Sequence, residues 1–189
     1  MKIQQSKFFT SHNSKDKDYK IYFYGGAFNP LTIIQQRIID ELVDELNLNE
    51  WNDFNDILHI GVTYHDYKEY EFDKDIRFKM VKSYMDSKYL DKSGWQVDFQ
   101  DCRTWNYLHK VYSEEAQKLI TIIMGEDEYK DLEEGKWHYS EDILNTYQIK
   151  VIPRNDGISS TKARHLLKEK NFEEAKKYLG ETTIKILQF

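Results

Sequence analysis

Leu119-Ile120-Thr121-Ile122-Ile123-Met124 is a nearly unbroken apolar run that stops at Gly125. A run this short and this apolar reads as a strand covered on both faces, and such strands belong to parallel sheets with helices on either side. The rest of the chain repeats that alternation. Strand-like segments occur at Lys20–Tyr24, Ile57–Val62, Trp95–Phe99 and Gln148–Ile152, the last stopped by Pro153. Helix-like segments lie between and after them. Thr32–Leu46 carries Ile34, Ile38, Ile39, Leu42, Val43 and Leu46 at spacings of three and four, which is one helical face. Asp75–Met85, Thr104–Lys118, Thr161–Lys168 and Phe172–Leu179 read as helices, and Asp127–Leu132 and Ser140–Leu144 as short ones.

Strands alternating with helices imply βαβ units. The expected fold is therefore α/β: a doubly wound, mainly parallel sheet of five to six strands, Rossmann-like. With no repeat and no linker visible, residues 20–189 are expected to form a single domain behind a polar extension at 1–19.

Composition narrows the function classes. A net charge of -6 opposes nonspecific binding to nucleic acid, which requires a basic surface. It leaves room for a small anion held by a few cations in one cleft. No apolar stretch approaches the roughly 20 residues of a membrane span, and the first twenty residues have no secretory apolar core. Cys102 is the only cysteine, so an intrachain disulfide and a cysteine-based zinc cluster are excluded. These features lead us to expect a cytoplasmic protein with no membrane or nucleic-acid partner; they do not address its oligomeric state.

Two segments carry chemistry. Gly25-Gly26-Ala27-Phe28-Asn29-Pro30-Leu31-Thr32 is a glycine turn that opens a helix. Adjacent glycines let backbone pass close to a ligand, and the helix start that follows is expected to offer N–H groups to an anion. Ile158-Ser159-Ser160-Thr161-Lys162-Ala163-Arg164 places hydroxyls at a helix start, with an arginine one turn in that can donate a forked pair of hydrogen bonds to a phosphate. Either segment alone also fits a ligand-free turn or an ordinary cap. Together, each after a strand of one parallel sheet, they point to a nucleotide cleft at the carboxyl ends of the strands.

The Gly-Gly-x-Phe-Asn-Pro opening, Gly125-x-Asp127 after a buried strand, Trp137 beyond it and the terminal Ile-Ser-Ser-Thr-x-x-Arg resemble nicotinate-nucleotide adenylyltransferase. That family lies in the nucleotidyltransferase superfamily marked by His/Thr-x-Gly-His. The resemblance spans about residues 20–179 and implies adenylyl transfer from ATP, with Mg²⁺, to a pyridine mononucleotide, here nicotinate mononucleotide by preference. It implies that Gly25, Gly26 and Phe28 line the ATP cleft and that Thr32 contacts the triphosphate. Gly125 and Asp127 would lie beside the ribose, and Ser159, Ser160, Thr161 and Arg164 at the β- and γ-phosphates. Thr104, Trp105, Tyr107 and Trp137 would hold the mononucleotide. Arg77 and Met80 match a recurring Arg-x-x-Met taken as structural. No carboxylate cluster marks a protein-held metal, so Mg²⁺ is expected to arrive on the triphosphate.

The chain departs from the hallmark at Ile34-Gln35, where the family has Gly-His. Gln35 can donate a neutral hydrogen bond to the α-phosphate but brings no positive charge. Losing one such donor costs on the order of 10²–10³ in rate. His65 and Lys68, after the second strand, are candidate substitutes. Two alternatives therefore stand beside the transferase: a nucleotide-binding protein of the same fold with weak or no catalysis, and transfer to another phosphorylated acceptor. His59 is expected to be a core residue, and His109, His138 and His165 show no metal spacing.

Overall fold

The computed structural model describes residues 19–46, 48, 56–65, 68–153 and 160–187. The expected extension at 1–19 falls, apart from Tyr19, outside the described residues. Five strands form the sheet: β1 (Ile21–Gly26), β2 (Ile57–Thr63), β3 (Trp95–Gln100), β4 (Ile120–Gly125) and β5 (Gln148–Ile152). Their order is β3-β2-β1-β4-β5 and every pairing is parallel. Registers such as Phe23 opposite His59 and Phe23 opposite Ile122 centre the sheet on β1.

Alternation along β1 builds both faces. Tyr22 and Tyr24 join a core with Ile39, Leu42 and Val43 of α1 (Ile33–Glu45) and Met80, Val81 and Met85 of α2 (Lys74–Tyr89). Ile21 and Phe23 join a second core on the opposite face. That core takes Leu108 of α3 (Thr104–Val111), Leu132 of α5 (Glu126–Glu133) and Ile143 of α6 (Ser140–Thr146). Period-two patterning in one strand thus requires helices on both sides, and the sheet is doubly wound as expected.

The helix expected across 104–118 is broken. Tyr112 is extended, and Ser113 caps a separate turn, α4 (Glu114–Gln117), by accepting the Ala116 N–H at 3.3 Å. After α7 (Ser160–Lys168), the last expected helix is shorter than its pattern: α8 is Phe172–Ala175, and Leu179 forms an antiparallel bridge to Thr32. A further helix, α9 (Glu181–Leu187), follows it. Its Thr183 hydroxyl donates to the Leu31 carbonyl at 3.0 Å, so the carboxyl-terminal segment braces the start of α1.

β1 leads to its neighbours β2 and then β3 on one side, while β4 and β5 lie on the other. The chain reverses direction across the sheet between β1 and β4, and ligands of open α/β sheets bind at such a point.

Candidate nucleotide cleft

The loop after β1 is held from several directions by groups that sequence pattern alone does not rank. Arg77, fully buried, donates from Nη1 to the carbonyls of Ala27 and Thr63, both at 2.7 Å, and from Nε to that of Phe72 at 3.0 Å. Its guanidinium carbon lies 3.9 Å from the centre of the Tyr70 ring. One side chain thus ties the end of β2 to the loops before α1 and α2. Burial pushes its pKa down, and the carbonyl dipoles offset the cost of the buried charge. Asn29 accepts the Phe72 N–H on Oδ1 at 3.0 Å and the Arg164 Nη1–H on its backbone oxygen at 2.7 Å. Held this way, Phe28 keeps a left-handed φ of 44°, its buried ring edge-on to Tyr24. The Asn29–Pro30 peptide is cis.

Two cavities open on either side of Gly25-Gly26-Ala27, at the carboxyl ends of the strands. The first, about 460 Å³, is walled by Asn29, Gln35, Tyr70, Ser160, Arg164 and Lys168. The second, about 370 Å³, has Phe23, Ile122 and Met124 at its floor and Thr104, Trp137 and His138 at its rim. Both volumes suit small-molecule sites. Besides the glycine loop, Lys68 and Glu128 line both cavities. At Gly25 any side chain would have to displace the floor: a Cβ there would stand 2.9 Å from Gln100 Oε1. Gln100 is buried, and its amide nitrogen donates to the Cys102 carbonyl at 3.2 Å and to Thr104 Oγ1 at 3.1 Å, which fixes Thr104 at the rim.

The start of α1 is closed on itself. Thr32 is the N-cap, accepting the Gln35 N–H on Oγ1 at 3.4 Å. Gln35 returns its Oε1 to the Thr32 N–H at 3.0 Å and to the Thr32 hydroxyl at 3.2 Å. The Ile33 N–H donates to the Tyr178 carbonyl at 3.0 Å. This corrects the expectation that the start of α1 offers its N–H groups to an anion: neighbours inside the fold have taken most of them. Gln35 still lines the first cavity, with Nε2 left to donate and no charge to offer.

The start of α7 behaves otherwise. Arg164 spans the gap, donating from Nη1 to Asn29 O and from Nη2 to Thr161 Oγ1 at 2.9 Å. Lys168 pairs with Glu71 at 2.7 Å. Ser159 lies outside the described residues.

The structure brings together most of the residues singled out from sequence. Gly25, Gly26, Phe28, Gln35, Ser160 and Arg164 line the first cavity, while Thr104 and Trp137 line the second. Thr32, Gly125, Asp127 and Thr161 flank the cavities without lining either. The Gly125 N–H donates to Glu128 Oε2 at 3.2 Å. Desolvation pushes the Glu128 pKa up.

Two expected mononucleotide contacts lie elsewhere. Tyr107 is buried and meets His59 Nε2 at 3.1 Å, with the Tyr112 hydroxyl on the other ring nitrogen at 2.6 Å. His59 is therefore the hydrogen-bonded core histidine it was expected to be, its pKa pushed down to about 3 by burial. Trp105 packs against His109, Tyr139 and Tyr147 at ring distances of 4.0, 6.0 and 5.9 Å. The sequence left Glu128 unmarked, although its place three residues after Gly125 is the one from which a carboxylate reaches back to a helix's first N–H. Among the described residues, no group of three His, Cys, Asp or Glu side chains could hold a metal ion. Nor is any helix among them long and apolar enough to cross a membrane.

Comparison with known proteins agrees with this layout. The family model described as cytidylyltransferase-like matches residues 23–184. A protein of Fusobacterium nucleatum named "probable nicotinate-nucleotide adenylyltransferase" is 26% identical over 175 residues, covering 89% of this chain and 79% of its own. One of the same name from Caldicellulosiruptor bescii is 25% identical over 145 residues, 76% of this chain and 69% of its own. The fold also matches that of Plasmodium falciparum nicotinic acid mononucleotide adenylyltransferase, solved in complex with NaAD. That match has a TM-score of 0.64 and 19% identity, covering 89% of this chain and 94% of that one.

Proposed function

The chain belongs to the cytidylyltransferase-like family, and we propose that it transfers the adenylyl group of MgATP to nicotinate mononucleotide. The observation that carries this reading is the pair of cavities sharing the Gly25-Gly26-Ala27 loop as a common wall. A transfer reaction between two nucleotides needs two sites with a common edge, where the attacking and leaving oxygens approach one phosphorus in line.

In this reading the first cavity takes ATP. Arg164 and Ser160 meet the outer phosphates, and Gln35 Nε2 donates one neutral hydrogen bond closer to the glycine loop. Thr161 acts through Arg164 by holding its second nitrogen. The second cavity takes the mononucleotide, with Trp137 against the pyridine ring and Thr104 as a polar contact. A phosphate oxygen of the mononucleotide forms a bond to the α-phosphorus of ATP. The bond from that phosphorus to the bridging oxygen of the β-phosphate breaks, and pyrophosphate leaves with the electron pair. The nucleophile is already ionised at neutral pH, so no general base is required, and rate comes from alignment and charge stabilisation. With no protein cage for a metal among the described residues, Mg²⁺ enters with the triphosphate as part of the substrate.

A second reading rests on one feature. Gln35 is neutral, and its amide oxygen is already engaged by Thr32, which favours a protein that binds nucleotide and turns over slowly. A panel separates the two. The purified protein is given ATP or CTP with nicotinate mononucleotide, nicotinamide mononucleotide or phosphopantetheine, and pyrophosphate release is measured. The proposal expects release with ATP and nicotinate mononucleotide above every other pair. Calorimetric ATP binding without release from any pair supports the second reading, and release only with phosphopantetheine moves the acceptor.

A further inference from the structure

We propose that Trp105 is a positioning residue for the mononucleotide: stacked on Tyr139, it holds the rim segment that presents Trp137 to the pyridine ring. This rests on the transfer reading above. Trp105 itself lines neither cavity. The segment it props joins α5 to α6 and has left-handed backbone at both ends, with φ of 73° at Gly135 and 65° at Tyr139. Between these ends Lys136, Trp137 and His138 all line the second cavity. Local preference accounts for the Gly135 end. Its N–H donates to the Leu132 carbonyl at 3.1 Å and the Lys136 N–H to that of Asp131 at 2.9 Å, a glycine-closed helix end.

Local preference does not account for the Tyr139 end. Tyr139 is the N-cap of α6, yet its side chain makes no capping hydrogen bond, and a bulky residue at positive φ is strained. Burial does not hold it either, because the residue is 44% exposed. A ring contact does: Tyr139 lies on Trp105 with ring centres 6.0 Å apart and planes inclined by 23°. Trp105 is fixed in its turn. His109 packs on it at 4.0 Å, Tyr147 meets it edge-on at 5.9 Å, and Nδ1 of His109 lies 2.9 Å from the Trp105 carbonyl oxygen. Beside Tyr139, the Ser140 hydroxyl donates to the Trp137 carbonyl at 2.8 Å and so carries the hold on to Trp137. Thr104, the residue before Trp105, lines the same cavity. Consecutive residues of α3 therefore line the mononucleotide cavity and prop the segment that carries Trp137.

The test uses Tyr139→Ala, Trp105→Ala, Trp105→Phe and the double variant Trp105→Ala/Tyr139→Ala in the full chain. Pyrophosphate release from MgATP and nicotinate mononucleotide gives kcat and both KM values. The indole ¹⁵N–¹H resonance of Trp137, assigned with Trp137→Phe, gives a readout that needs no ligand. Each alanine variant is expected to raise KM for the mononucleotide about 3–10-fold, the worth of one aromatic pair, with kcat and KM for ATP within about twofold. The double variant is no worse than the worse single one, because both lose the same contact. Trp105→Phe keeps a ring against Tyr139 and brings KM back to within about twofold of the parent. The Trp137 resonance moves in both alanine variants and returns toward the parent in Trp105→Phe. A rise in KM below about threefold in Tyr139→Ala overturns the inference, as do losses that multiply in the double variant or fall equally on both substrates. If Trp105→Ala does not fold, Tyr139→Ala, at its exposed position, decides. If the parent makes no pyrophosphate, the acceptor reading fails by itself. The resonance then decides: an unmoved Trp137 in Tyr139→Ala overturns the positioning role, and a shifted one supports it.

Discussion

The starts of α1 and α7 both face the first cavity, and they meet its electrostatic demand in opposite ways. At α1 the capping groups turn inward: Thr32 and Gln35 satisfy each other, and Tyr178 takes the Ile33 N–H. At α7 a cation projects outward, and Arg164 reaches across to the loop of the other helix. The difference separates frame from charge. The frame at α1 is backbone held by neutral caps, so it tolerates a neutral residue at position 35. The charge at the cleft is carried by long side chains, which can be supplied from several elements. A fold of this kind can lose a cation at one helix start and keep both its cavity and its loop geometry.

The largest expected effect removes the frame itself. Arg77→Met leaves the carbonyls of Ala27, Thr63 and Phe72 without their donor and is expected to cost about 3–5 kcal/mol in urea unfolding. A loss below about 1 kcal/mol would mean that the loops hold themselves. Removing charge instead gives the converse pattern. Arg164→Met is expected to cut kcat/KM by about 10²–10³, roughly 3–4 kcal/mol of transition-state stabilisation. Its unfolding free energy should change by less than about 1 kcal/mol, because the arginine is half-buried and bonds one loop carbonyl and one hydroxyl of its own helix. Equal losses from both arginines in both assays would erase the distinction.

The fold was far more legible than the site. The Leu119–Met124 run reads as a strand covered on both sides, and the alternation of strand-like and helix-like segments points to the parallel sheet. What pattern could not show were the places where one polar residue redirects the chain. Ser113 sits in a helical run and breaks it by capping Ala116. The helical spacing through Phe172–Leu179 yields to a turn after Ala175, and Leu179 pairs with Thr32 from far earlier in the chain. In the site, local motifs marked Gly25, Gly26, Ser160 and Arg164, since their chemistry is written in adjacent residues. Tyr107 went astray because its partner His59 lies 48 positions away, a core contact that no local spacing encodes. Arg77 was seen as structural, but that it clamps Ala27 is again a contact over 50 positions.

Smaller effects probe the histidine core on the side of the sheet opposite α1, where an Asp98 carboxylate oxygen lies 3.5 Å from His59 Nε2. His59 has a folded pKa of about 3, below its ordinary unfolded value of about 6.5. The unfolded chain therefore binds the proton first, so this contribution to stability is complete above about pH 6.5 and is lost as pH falls toward 3. Between pH 6.5 and 4.5 the expected loss from this group is roughly 2 kcal/mol in urea unfolding, and His59→Gln should flatten that slope. An unchanged slope in the variant would assign the acid sensitivity to other groups. Smallest is the cap: Thr32→Ala removes the acceptor for the Gln35 N–H and should cost about 1 kcal/mol. Gln35 Oε1 keeps its bond from the backbone N–H of residue 32 and loses only the hydroxyl; a cost near zero would show that the start of α1 is held by the carboxyl-terminal segment instead.

The central claim is that the two cavities hold two nucleotides that become one molecule. Mass spectrometry of a single-turnover mixture, with protein in excess over MgATP and nicotinate mononucleotide, tests it most directly. The account predicts nicotinate adenine dinucleotide and pyrophosphate formed in equal amounts. Bound ATP recovered intact, or pyrophosphate accompanied by AMP and no dinucleotide, would contradict it.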